Sequence, residues 1–351
     1  MGLLRLILAV IVVFHHMTGF PFIGHFAVFF FFVLSGYLMT SVMHNSYGYT
    51  LVGWKKFWIN RALRLYPAYL AIVAITLVVI AALGENFTSH FRMPIFVPQN
   101  FLDWAQNLSM VYLDAFPSRA LPRLSPATWA LTTELFFYFV ISLGISRSKL
   151  TTYFWVAVSI IYTLFALITD LSYKWSYYFI LAGSLPFSLG AVFYHHQDQI
   201  KKFVAHLRLK GFHLLMISCF LCAISFLIAY KGDIFLNASD SFPEKIALVI
   251  VNFASVLGLA GVLWNPWLPL GHAMDKLLGS LSYPVYISHW ICGVIAGYLL
   301  GVDRPSWSAD GIYLFMLGLS ISLAVSLIIV WCIDEPIQKL RTFIRGKGTQ
   351  S

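Results

Sequence analysis

Apolar runs long enough to cross a bilayer recur about ten times along the chain, separated by short polar stretches. Their approximate limits are 3–20, 25–43, 62–83, 127–145, 151–169, 174–195, 212–230, 244–264, 281–300 and 312–333. The pattern predicts an all-α, polytopic integral membrane helix bundle of about ten transmembrane helices, forming a single domain over 1–351. Two runs are imperfect: the fourth contains Glu134, and the sixth carries Gly183, Pro186 and Gly190. The longest polar interval, about 84–126, is rich in Pro, Phe and Asn. It reads either as a cap over the mouth of a cavity or as an ordinary surface excursion.

Basic residues orient these helices. With the N-terminus inside, sixteen of the 23 Lys and Arg fall in inner segments, which places both termini in the cytoplasm and requires an even number of spans. Composition agrees with the class: 60% of residues are hydrophobic and 11% charged, against about 25% charged in soluble domains. The net charge of +9 follows from the inner basic residues facing anionic lipid, so membrane lipids are the expected partner and nucleic acid is not. The first run has one basic residue ahead of it and no small-x-small cleavage site before Pro21, so it reads as a retained helix. Cys219, Cys222, Cys292 and Cys332 all lie within runs and read as packing residues, with no disulfide framework and no metal site.

Ionisable residues inside apolar spans carry the candidate chemistry, because each is costly there. Arg5 and His16 are eleven residues apart, close to three turns, and so share one helix face over about 16 Å of rise. Glu134 lies eight residues below the outer end of its span, roughly 12 Å, at a depth that suits pairing with His16. A carboxylate that fixes an imidazole makes a general base. The ordinary alternatives are a helix-packing His and a protonated Glu bonded to backbone. Arg61 and Arg64 form an Arg-x-x-Arg pair whose i, i+3 spacing suits phosphate oxygens, or simply flanks a span on its inner side. Ser35, beside Gly36 in the Phe-rich second run, can bond across helices. Tyr286 and His289 share a face of the ninth run, as tunnel lining or as packing.

Taken together, the chain resembles the acyltransferase-3 family over nearly its whole length. The features that carry the likeness are Arg5-x10-His16, Ser35-Gly36-Tyr37, Arg61-x-x-Arg64-x-x-Pro67, the Trp129–Tyr138 segment around Glu134, the Ser282–His289 segment, and Asp334-Glu335-Pro336. The resemblance implies an O-acyltransferase of the bacterial inner membrane, without a fused esterase-like domain. It would move an acyl group, most often acetyl from acetyl-CoA, to a hydroxyl of an extracytoplasmic glycan or lipid-linked glycan such as O-antigen or exopolysaccharide. It casts His16 and Glu134 as the catalytic pair, Arg5, Arg61 and Arg64 as acyl-CoA ligands, and Ser35, Tyr286 and His289 as tunnel lining or hydrogen-bond donors. The ten-residue gap from Arg5 selects His16 over His15. Trp104, Tyr112, Arg119 and Arg123 of the long outer loop are candidates for choosing the acceptor.

The competing class is a transporter or flippase for a lipid-linked glycan. Transporters more often show internal repeats and paired broken helices, which the sequence does not display.

Overall fold

A computed structural model describes residues 1–113, 122–169, 171–236, 242–264 and 271–345; Arg119 lies outside them. Among the described residues there are fourteen α-helices and no strand. They are α1 (Gly2–Thr18), α2 (Ile23–Val42), α3 (Leu51–Leu83), α4 (Glu85–Phe91), α5 (Phe101–Ser109), α6 (Thr128–Ser142) and α7 (Lys149–Ile168). The rest are α8 (Tyr173–Tyr177), α9 (Ser184–His206), α10 (Gly211–Leu236), α11 (Phe242–Trp264), α12 (His272–Leu300), α13 (Ala309–Ile329) and α14 (Glu335–Arg345). Wider π turns extend α2 over Met43–Tyr47 and join α13 to α14 over Val330–Asp334.

Seven described helices are long and apolar enough to cross a bilayer: α2, α3, α7, α10, α11, α12 and α13 with its continuation. Three expected spans fall outside that group. α1 is apolar but has 17 residues, and α6 has 15. The run expected at 174–195 is broken into α8, a 3-10 turn at Ile180–Gly183 and α9. Pro186 explains the late start, since proline is tolerated in a helix's first turn, where its missing N–H has no intrahelical partner. Conversely, α3 and α12 begin eleven and nine residues before the apolar runs at 62 and 281. Lys55, Lys56, Arg61 and Arg64 therefore stand on a helix, not on a flanking loop.

The described chain forms two compact units. One comprises Met1, 25–50 and 133–271. Its core joins Val33 and Leu34 of α2 to Phe193 of α9, Leu214 of α10 and Leu259 of α11. α2 and α9 approach until backbone meets backbone: a Cβ on Gly36 would lie 2.1 Å from the Phe187 carbonyl oxygen, and one on Gly190 2.1 Å from that of Val33. Such approach is a means of holding helices together where lipid removes the hydrophobic drive. On α7, Phe154, Ile161 and Ile168 are spaced by seven and remain 70%, 66% and 77% exposed, an apolar face suited to hydrocarbon. The same helix opens on a capping box between Ser148 and Thr151.

The other unit comprises 2–24, 51–132 and 272–351. Here α1 packs along α12 and α13. The Gly2 and Leu3 amides donate to the two oxygens of Asp275, each at 3.0 Å, so a carboxylate from α12 caps the start of α1. The far end of α1 is closed by Gly19 at φ +67°, the left-handed position that ends many helices. Thr18 reinforces this end: its hydroxyl donates to the Phe14 carbonyl and accepts from the Phe20 amide.

Candidate active site

Fixing both ends of α1 fixes His16 in its last turn. Its ring stacks on that of His289 from α12, with centroids 5.1 Å apart and planes 6° from parallel. Trp290 lies 4.6 Å from it on the same helix. His15 has a different role. Its Nδ1 donates to the Phe20 carbonyl, so that side chain helps close the helix end.

His289 is fully buried, and its Nδ1 lies 2.7 Å from the Tyr286 carbonyl. A carbonyl only accepts, so the proton sits on Nδ1 and Nε2 offers a lone pair. That Nε2 is buried with no hydrogen-bond partner among the described residues, a condition that calls for explanation. The Tyr286 hydroxyl donates to the Ala127 carbonyl at 3.2 Å. Both side chains thus spend a donor on backbone.

His15, His16 and Trp290 line a cavity of about 770 Å³, together with Arg92 from beyond α4 and Arg304 from the α12–α13 connection. The Arg92 guanidinium sits 4.4 Å from the Trp290 ring centroid, a cation–π distance.

Glu134 and Ser35, both expected to matter, meet in the first unit. Ser35 donates to one carboxylate oxygen at 2.8 Å, and Tyr138, one turn along α6, donates to the other at 2.9 Å. Both carboxyl oxygens of this half-buried side chain thus accept a hydroxyl hydrogen bond.

Arg5 lies one turn into α1, and Arg61 and Arg64 lie one turn apart in α3. Arg64 makes a salt bridge at 3.0 Å to Asp334, with side chains only 13% and 7% exposed. The π turn at Val330–Asp334 carries that carboxylate, and such bulges often mark functional positions. Asn60 ties α14 to the same stretch, donating to the Arg341 carbonyl and accepting from its Nε.

Two of the loop residues expected to choose the acceptor are buried. The Arg123 guanidinium lies 3.9 Å from the Tyr112 ring centroid, and the two residues are 2% and 6% exposed. Burial pushes the Tyr112 phenol above its ordinary range. Asn107, itself fully buried, takes hydrogen bonds from the Tyr112 hydroxyl and the Leu124 amide and gives them to the Asp103 and Pro122 carbonyls. These residues tie the loop down from within.

Sequence reasoning gave no role to Trp290 or Arg92 and did not pair Arg64 with Asp334. Trp290 directly follows His289, and Arg92 is a basic residue in the interval the sequence count assigns to the side poor in such residues; both signals were present. Nothing local joins Arg64 to a carboxylate 270 residues away. No group of three or more His, Cys, Asp or Glu among the described residues is placed to hold a metal ion.

A family model described as an acyltransferase domain matches residues 1–331 of the 351. No curated protein and no solved structure matches the chain.

Proposed function

The chain belongs to the acyltransferase-3 family, and from that premise we propose that it is a membrane O-acetyltransferase of the bacterial inner membrane. It takes acetyl from acetyl-CoA on the cytoplasmic side and places it on a hydroxyl of an extracytoplasmic glycan such as O-antigen or exopolysaccharide. α1, α6 and α9 cross the membrane with the seven longer helices, giving ten spans with both termini inside.

The observation that carries the reading is His16 on the lining of the 770 Å³ cavity, its ring stacked on that of the buried His289. His16 takes the proton of the acceptor hydroxyl as its oxygen attacks the thioester carbonyl. The carbonyl–sulfur bond breaks, and His16 returns the proton to the departing thiolate, leaving an ester and a free thiol. The lone pair on the buried His289 Nε2 accepts a hydrogen bond from the reacting species, which accounts for its lack of a partner among the described residues.

The donor's phosphates fit the inner arginines. Asp334 takes one N–H of Arg64 and holds its guanidinium in place, leaving the planar fork its remaining donors. Arg61 stands one turn away, and Arg5 begins the helix that ends at His16. About 16 Å of helix separates Arg5 from His16, a span for the donor's extended pantetheine arm. Glu134 joins the proposal on its own chemistry, as an intramembrane carboxyl group that accepts hydrogen bonds from Ser35 and Tyr138.

The test is purified protein with radiolabelled acetyl-CoA and an extracted envelope glycan. Label in the glycan, lost in His16→Ala and retained in His15→Ala, is the expected outcome. Label transfer unaffected in His16→Ala removes the assigned base, and glycan movement without label favours transport.

A further inference from the structure

The cavity beside His16 has a one-sided lining. Arg92, Arg304, His90 and His15 face it with Asn86 and Ser89, and none of its described lining residues is Asp or Glu. The geometry points to an acceptor that carries an anionic group, a carboxylate or a phosphate, next to the hydroxyl that is acylated. This deepens the acyltransferase reading and rests on it, by naming the substrate class of the same site.

Three observations support it. Arg304 Nη2 lies 3.3 Å from His90 Nδ1; a guanidinium only donates, so Nδ1 is the acceptor and Nε2 carries the remaining proton as a donor. Arg92 is set against Trp290, the residue that also touches His16, so a positive charge stands one ring away from the proposed base. Both arginines are exposed on the protein surface, yet both lie where the basic-residue count of the sequence predicts the outer side, on which such residues are scarce. Cations concentrated in a concave site focus the field on an incoming anion and raise its local concentration. Guanidinium groups in addition bind carboxylate or phosphate oxygens in two-pronged fashion. A neutral sugar gains little from such a lining.

The anion has two sources: a uronic-acid carboxylate in the glycan, or the phosphate of a lipid-linked carrier. Isothermal titration of the full chain in neutral-lipid nanodiscs, with galacturonate trimer, galactose trimer, inorganic pyrophosphate and coenzyme A as probes, separates them. At least one anionic probe is expected to bind about tenfold or more tighter than galactose trimer. That preference disappears in Arg92→Gln/Arg304→Gln and largely returns in Arg92→Lys/Arg304→Lys. Preference for galacturonate assigns the sugar carboxylate; preference for pyrophosphate assigns the carrier. Coenzyme A affinity stays within about twofold throughout. Equal binding of the neutral and anionic probes, or no binding of either anion, overturns the inference. So does loss of coenzyme A affinity in the glutamine double variant, which would make the cavity the donor's phosphate site. Failure of coenzyme A to bind the unaltered chain is a separate result, and counts against the acyltransferase reading itself.

Discussion

Two arginine-bearing regions of the same unit differ in one respect. Within α3, Arg64 is locked to Asp334 at 3.0 Å and nearly buried. At the His16 cavity, Arg92 and Arg304 are exposed beside a lining without a carboxylate. A guanidinium given its own carboxylate is first a structural tie, and binds a ligand only with the donors left over. Guanidinium groups at a cavity whose described lining holds no Asp or Glu suit, on the proposal above, a ligand that brings the negative charge. The same residue type thus ties helices together in one place and lines a cavity in the other.

The comparison breaks most easily at His16. Its replacement by Ala is expected to lower acetyl transfer about 10²–10⁴-fold, the usual contribution of a general base. His15→Ala, which removes the side-chain bond to the Phe20 carbonyl and leaves His16 in place, should cost less than about tenfold. Label transfer from acetyl-CoA measures both, and equal losses would erase the distinction between the two histidines.

Next in size is the tie itself. Asp334→Ala strips a nearly buried guanidinium of its partner, and removal of one member of such a pair costs about 3–5 kcal/mol. The melting temperature in detergent should fall accordingly. Arg64→Met/Asp334→Leu should recover much of that loss while weakening coenzyme A binding. A double variant that melts as low as the single one would show that the pair contributes more than charge compensation.

The first unit offers a packing counterpart. In Gly36→Ala the new methyl would meet the Phe187 carbonyl oxygen at 2.1 Å, and overpacking of this kind costs about 1–3 kcal/mol. Ser35→Ala, one position away, removes a hydrogen bond to a carboxylate, worth about 1.5–3 kcal/mol. Both are read by thermal unfolding. A drop in transfer larger than the loss of folded protein in Ser35→Ala would tie Glu134 to the chemistry and not only to packing.

Much of this was legible before any coordinates. Apolar length located the helices, because lipid demands that backbone bonds be satisfied within each segment. Ser35 and Glu134 both stand out in the sequence, but their bond to each other does not: the spacing suggested His16 as the partner of Glu134. The sixth run misled because hydropathy does not register a proline that forces a new helix start, and α3 and α12 ran long because their early turns carry charged residues (Lys55, Lys56 and Arg61; Asp275 and Lys276) and are helical all the same. Arg64's partner was out of reach for a simpler reason: a pair separated by 270 positions leaves no periodic trace. Tyr112 and Arg123 looked like surface residues by type, and only their mutual stacking under the loop reveals them as its core.

The smallest expected effect concerns Tyr286, which the sequence suggested as tunnel lining or a hydrogen-bond donor. Its hydroxyl donates to the Ala127 carbonyl at 3.2 Å, just ahead of α6, while its own carbonyl accepts from the His289 ring. Tyr286→Phe removes the first of these bonds and leaves the second intact, because the second uses backbone. The expected change is about 0.5–1.5 kcal/mol in stability, with kcat held within about threefold because the His289 tautomer is untouched. His289→Gln makes the contrast: it deletes the Nε2 lone pair and the ring stacked on His16, and should lower kcat well before it lowers the melting temperature. If Tyr286→Phe instead matches His289→Gln in kcat at unchanged stability, the hydroxyl serves the reacting groups, and the boundary drawn between residues that hold the cavity and residues that work in it moves by one helical turn.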